Sequence, residues 1–145
     1  MIPLATARRL KEVGLTWVPG LHDFFAIPDR NMDDKVFVIS DMLVTVDLLQ
    51  GLQVVSFQGA SEWALDSLIT TEAVWMPTES QIRQALEAAL LAEGRPEVVL
   101  TAGLGGYRCD IQFQGQTIAF EAADASEAYA AALLHILEAR PTPEA

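Results

Sequence analysis

Cysteine is almost missing from this chain. Cys109 is the only one in 145 residues, so no internal disulfide can form and a cysteine-rich zinc site is excluded. Histidine is nearly as scarce. A histidine metal centre would have to use both His22 and His135, with carboxylates completing the set. Basic residues are few as well: nine against twenty acidic ones, for a net charge of −11, with Lys11 and Lys35 the only lysines. A surface with that balance repels phosphate backbones, which argues against nucleic acid as a partner. It is compatible with a basic partner without requiring one.

Long hydrophobic runs are also lacking. A bilayer-spanning helix needs roughly 18 to 20 apolar residues. The longest candidate, "MLVTVDLLQGLQVV", is interrupted by Asp47, Gln50, Gly51 and Gln53. The N-terminal "MIPLATARRLKEVG" carries its Arg-Arg-Leu-Lys after the apolar residues and has no long apolar stretch, so no secretory signal is expected. The expected location is the cytoplasm, with no membrane association.

Apolar material itself is plentiful. Hydrophobic residues make up 51% of the chain and charged ones 20%, enough for a folded core. The length fits one domain, expected over 1–140, with "PTPEA" at 141–145 as a flexible tail.

Helix signals are clear in three places. Pro3 to Val13 reads as a helix: proline suits the first turn, Gly14 supplies a left-handed stop, and Leu4, Ala7, Leu10 and Val13 form an inward stripe. Arg8, Arg9 and Lys11 are expected in solvent near its C-terminal end, where the helix dipole favours cations. In "EAVWMPTESQIRQAL", Thr78 followed three residues later by Gln81 fits a capping box, with Ile82, Ala85, Leu86, Ala89 and Leu90 at helical spacing and Gly94 and Pro96 as stops. Asp124 and Glu127 suggest a second box opening a helix over about 125–140, with Tyr129, Ala132, Leu133, Ile136 and Leu137 inward. A shorter helix capped by Ser61 is expected over "SEWALDSLIT".

Between these lie strand signals: "LTWVPG" and "DFFAI" as short apolar pieces, then "KVFVIS", "VTVDLL", "LQVVSFQG" and "EVVLTA". The clearest is "YRCDIQF", which places Tyr107, Cys109, Ile111 and Phe113 on one face. A two-residue turn at Gln114-Gly115 then sets Ile111 opposite Ile118, Cys109 opposite Phe120 and Arg108 opposite Glu121. The expected fold is α+β: a mostly antiparallel sheet with helices packed on one face, ending in a β-β-β-α unit. The last helix, and the one from residue 79, are expected to cover the sheet.

Candidate chemistry is thin. Asp29, Asn31 and Asp33 in "DRNMDD" reproduce the D-x-N-x-D start of a calcium loop and are the candidate metal ligands. Positions six and twelve of such a loop would be Asp34 and Ser40 rather than glycine and glutamate, so turn geometry is the favoured reading. His22 beside Asp23 is a candidate base, but no nucleophile is evident. His135 falls at the margin of a buried helical face. "TAGLGGY" precedes a strand and lacks the Gly-Lys-Ser/Thr ending of a phosphate loop. Cys109 points inward and reads as a small buried residue. Trp17, Trp63 and Trp75 read as packing anchors. No cofactor is expected.

"IPDRNMDDKVFVISDM", "SEWALDSL", "VWMPTESQIRQAL" and "FEAADASEAYAAALLHIL" together resemble a group of short bacterial proteins labelled pilus assembly proteins of the CpaE type. That resemblance implies a link to an ATPase-like localisation factor. The functional expectation is a cytosolic, non-enzymatic protein-interaction domain whose partner is another protein or a second copy, as a homodimer. The alternative is a small-molecule or metal-binding domain, enzymatic or not, with a pocket near Trp17, His22 and the Asp29–Asp34 loop.

Overall fold

The computed structural model describes residues 1–28, 35–40, 44–49, 52–57, 67–69 and 72–140, with the backbone alone at 44–49, 52–57 and 67–69. The elements are α1 (Leu4–Glu12), β1 (Phe24–Ala26), β2 (Phe37–Val38), β3 (Val44–Leu49), β4 (Leu52–Phe57), β5 (Ser67–Ile69), β6 (Val74–Trp75), α2 (Glu79–Ala92), β7 (Val98–Gly103), β8 (Gly106–Phe113), β9 (Gln116–Ala122) and α3 (Ala125–Ala139). All described strand pairs are antiparallel, in three-stranded sheets ordered β2-β1-β6, β3-β4-β5 and β7-β8-β9. The class is α+β with a β-β-β-α ending. No described helix is long and apolar enough to cross a membrane.

The chain divides into two compact units, one built from Met1–Leu15 with the chain from Pro77 on, the other from Thr16–Met76. In the first, α3 packs on β8 and β9, while α2 and α1 lie against α3. Cys109, Ile111 and Phe113 are buried on the covered face of β8, opposite the face of Arg108 and Asp110. Alternation with a period of two puts every second side chain under the helix. The helix answers with Ala128, Ala132, Leu133 and Ile136, all at most 1% exposed. Its alanines are small enough for neighbouring backbones to approach closely, and α2 contributes Ile82, Leu86 and Leu90. The expectation that α2 would also cover the sheet resolves into packing chiefly along α3.

Chain punctuation explains the boundaries. Thr78 Oγ1 accepts from the Gln81 amide and Gln81 Oε1 from the Thr78 amide, a complete capping box. Asp124 Oδ1 accepts from the Ser126 and Glu127 amides, with no return bond from Glu127 among the described contacts. Gln114 and Gly115 both have positive φ, 53° and 77°, as a tight two-residue hairpin turn demands, and the expected register of β8 with β9 results. Pro3 is the N-cap of α1 rather than its first helical residue. Lys11 is half-buried, not solvated, and burial, then the neighbouring Arg8 charge, lowers its pKa.

In the second unit, Phe25, Ile27, Ile39 and Ala73 form a buried cluster with Trp17 and Phe37 packed against it. Phe25 stacks on Phe37 at 5.5 Å between ring centres and meets Trp17 at 5.8 Å. Two expectations are corrected here. "LTWVPG" forms no strand; its indole is instead bound into a loop by Asp23, and Pro19-Gly20 suits a turn better than a ladder. The helix expected over "SEWALDSLIT" fails at Ser67–Ile69, which form β5 and pair with Ser56, Val55 and Val54 of β4. Ladder hydrogen bonds to a distant strand outweigh a local capping signal. Residues 61–66 lie outside the described residues.

Candidate functional site

Asp29, Asn31 and Asp33, like the rest of the 29–34 loop and Trp63, lie outside the described residues. Among the described residues, no three His, Cys, Asp or Glu side chains gather in a way that could hold a metal ion.

Of the region where a pocket was expected, the described part around Trp17 and His22 is a tied loop. The buried carboxylate of Asp23, 9% exposed, accepts from Trp17 Nε1 and from the Gly20 amide, both at 3.0 Å. His22 sits at φ 71° and donates its amide to the Ile39 carbonyl. Its imidazole is exposed and makes no hydrogen bond to Asp23 among the described contacts, so the pair is not arranged as an oriented base. Trp17 serves as a packing anchor. Trp75 Nε1 is buried and has no hydrogen-bond partner among the described residues, a cost that packing of the indole must offset.

His135 lies exposed on α3, with its ring against Phe113 and Phe120 at 5.9 and 5.5 Å. Cys109 is fully buried in β8. Burial, with the Asp110 charge adding, pushes its thiol up to about 11 from 9.0, the reverse of what a nucleophilic thiolate requires. The fold therefore favours the protonated thiol, and that contribution is complete below pH 9 and is lost as pH rises towards 11. Stability is expected to fall by on the order of 2 kcal/mol across that interval. Urea titrations at several pH values should show this loss in the native chain and a flatter profile in Cys109→Ala. In the native chain at neutral pH, a thiol reagent is expected to label Cys109 only after denaturant is added.

An exposed apolar feature lies elsewhere, along β7. Among the described residues this strand is hydrogen-bonded on one side only, to β8. Its sequence, Val98-Val99-Leu100-Thr101-Ala102-Gly103, contains no charge and no proline. Val99 is 57% exposed, and Leu104 at the following turn is entirely exposed. Natural sheet edges are usually blunted by charges, proline or bulges, and the opposite edge strand β9 carries Glu121. The signal was present in the sequence as "EVVLTA", but only the sheet order shows that this strand is an edge. In β8, Arg108 lies opposite Glu121, yet its guanidinium binds Asp110 on the same strand at 3.0 Å, leaving the row beside β7 with a neutralised pair. No family model, no curated protein and no solved structure matches this chain.

Proposed function

We propose that this chain is a non-enzymatic protein-interaction domain that pairs with a second copy of itself through β7. The observation that carries the reading is an uncharged, one-sided edge strand in a chain of net charge −11. The acidic exterior would steer basic foreign strands towards this protein. The strand itself offers no acidic side chain to hold one, whereas its neutral row is complementary to itself.

Geometry limits the pairing further. Val98, Leu100 and Ala102 share the face of Cys109 and Ile111 that α3 covers, and Val99, Thr101 and Gly103 share the other. Side chains alternate strictly, so an antiparallel pair must match like faces to keep the apolar side continuous. The two-fold axis must then be centred on a residue, Leu100 or Thr101, and not between two. The product is a six-stranded sheet with its helices on one side.

Light scattering on the full chain is expected to give twice 15.8 kDa at high micromolar concentration. The double variant V99K/T101K, which sets four like charges along the shared edge, is expected to be monomeric. A single-chain mass for the native protein at that concentration overturns the dimer. A dimer that survives V99K/T101K removes β7 as its contact.

A further inference from the structure

The turns of the β7-β8-β9 sheet fix which backbone groups β7 offers at its free side. Gln114 and Gly115, both at positive φ, make a two-residue hairpin turn, so the flanking Phe113 and Gln116 are a hydrogen-bonded pair. Bonded and non-bonded pairs alternate along an antiparallel ladder. Phe113, Ile111, Cys109 and Tyr107 therefore bond to β9, and Asp110, Arg108 and Gly106 bond to β7. Their counterparts on β7 are Val99, Thr101 and Gly103. The Leu104-Gly105 turn, flanked by the Gly103–Gly106 pair, gives the same parity. Val98, Leu100 and Ala102 are left with amides and carbonyls directed away from the sheet, and none of these groups is engaged by a loop or turn among the described contacts.

Both ends of this row are closed. Pro96 has no N–H to extend it, and at the other end the chain turns away at Leu104. A two-fold axis through Leu100 pairs Val98 with Ala102, Leu100 with Leu100 and Ala102 with Val98, with two bonds at each pair. Every outward group is then used. An axis through Thr101 keeps only the Leu100–Ala102 pair and its mirror image, and sets Val98 against the turn. An axis through Val98 needs a donor from Pro96. The side chains agree. About Leu100, the exposed Val99 meets Thr101 of the second copy, a β-branched pair on the uncovered face. About Thr101, Val99 would meet Gly103, which has no side chain. The first register also brings Leu104, entirely exposed in the single chain, level with Pro96 of the second copy.

Building on the β7 pairing proposed above, we infer that the second copy binds in one register only, with the two-fold axis through Leu100, Val99 of each copy facing Thr101 of the other, and each Leu104 against the opposite Pro96. An open edge is ordinarily a template for continued pairing. Here the two-fold contact consumes the same strand on both copies, so assembly stops at two.

The test is thiol crosslinking of the full chain, with the single variants Val99→Cys and Thr101→Cys purified separately. Both positions are exposed, and the native Cys109 is buried. In the inferred register, residues 99 and 101 of opposite copies form a non-bonded pair with Cα atoms about 4.5 Å apart, within disulfide reach. Residues 99 and 99, or 101 and 101, lie on the diagonal at about 7 to 8 Å, beyond it. Under diamide, an equimolar mixture of the two variants is expected to form covalent dimer on the order of tenfold faster than either variant alone. Leu104→Ser is expected to weaken the native dimer about tenfold, as the loss of a buried leucine does. Rapid crosslinking of Thr101→Cys or Val99→Cys alone overturns the register and leaves the β7 dimer standing. An unchanged dimer affinity in Leu104→Ser removes its contact with Pro96. A dimeric mass with no crosslinking in any combination overturns the register together with β7 as the contact, and a monomeric mass overturns the pairing on which the register rests.

Discussion

Gly106→Ala is expected to lower stability by about 3 kcal/mol in urea denaturation, the sum of a disfavoured backbone conformation and a backbone collision. Gly106 has φ 120°, a region that L side chains rarely adopt, where it follows the Leu104-Gly105 turn and opens β8. A Cβ built there would lie 2.5 Å from the Ala122 carbonyl oxygen and 3.4 Å from the Ala123 Cα. Both are backbone atoms at the end of β9, whose Ala122 is registered with Tyr107. No side-chain rotation can relieve the contact; β8 and β9 would have to part where α3 begins. Gly105→Ala is the control. A Cβ at Gly105 meets nothing within 4 Å, its φ is not positive, and the substitution is expected to change stability by no more than about 1 kcal/mol, in the stabilising direction if it acts through the unfolded chain. Equal effects from the two substitutions would show that the close approach at Gly106 does not exist.

The contrast between these two glycines shows what could be read without coordinates. "TAGLGGY" announces a turn, but nothing in the string says which glycine carries the positive φ or lies under a foreign carbonyl. The β8–β9 register was legible because its turn and its alternation are local and agree with each other, although Arg108 binds Asp110 on its own strand instead of Glu121 opposite it. The Thr78 box and the Asp124 cap were legible for the same reason: each joins residues three apart. What failed depends on distant partners. Ser67–Ile69 became a strand because β4 runs beside it, and Lys11 lost solvent through the packing of the fold around it. The β7 edge divides in the same way. The neutral run of β7 is visible in the sequence, whereas its position at an edge is not. A cleft where α2 and α3 begin joins residues from four separate stretches, Met1, 78–79, 107 and 123–126, which no local pattern connects.

Asp23 decides the stability of the other unit. Asp23→Ala is expected to cost about 3 kcal/mol, since it leaves Trp17 Nε1–H and the Gly20 amide without their acceptor in a partly buried loop. Its Trp17 ring must stay against Phe25, and His22 must hold φ 71° while its amide donates to the Ile39 carbonyl and the Ile39 amide donates to the Asp23 carbonyl. A non-glycine residue at positive φ costs of order 1 kcal/mol or more and persists only where its surroundings enforce it. Asp23→Asn is the discriminating variant. Both donors go to Oδ2 alone, so the asparagine carbonyl oxygen can accept from both, and the expected loss is well under half that of alanine. His22→Gly in the Asp23→Ala background should recover on the order of 1 kcal/mol by relieving the backbone strain that the carboxylate no longer restrains. Tryptophan fluorescence during urea unfolding reads all three. If alanine at position 23 costs less than about 1 kcal/mol, or asparagine costs as much as alanine, the carboxylate is not the tie that holds this loop.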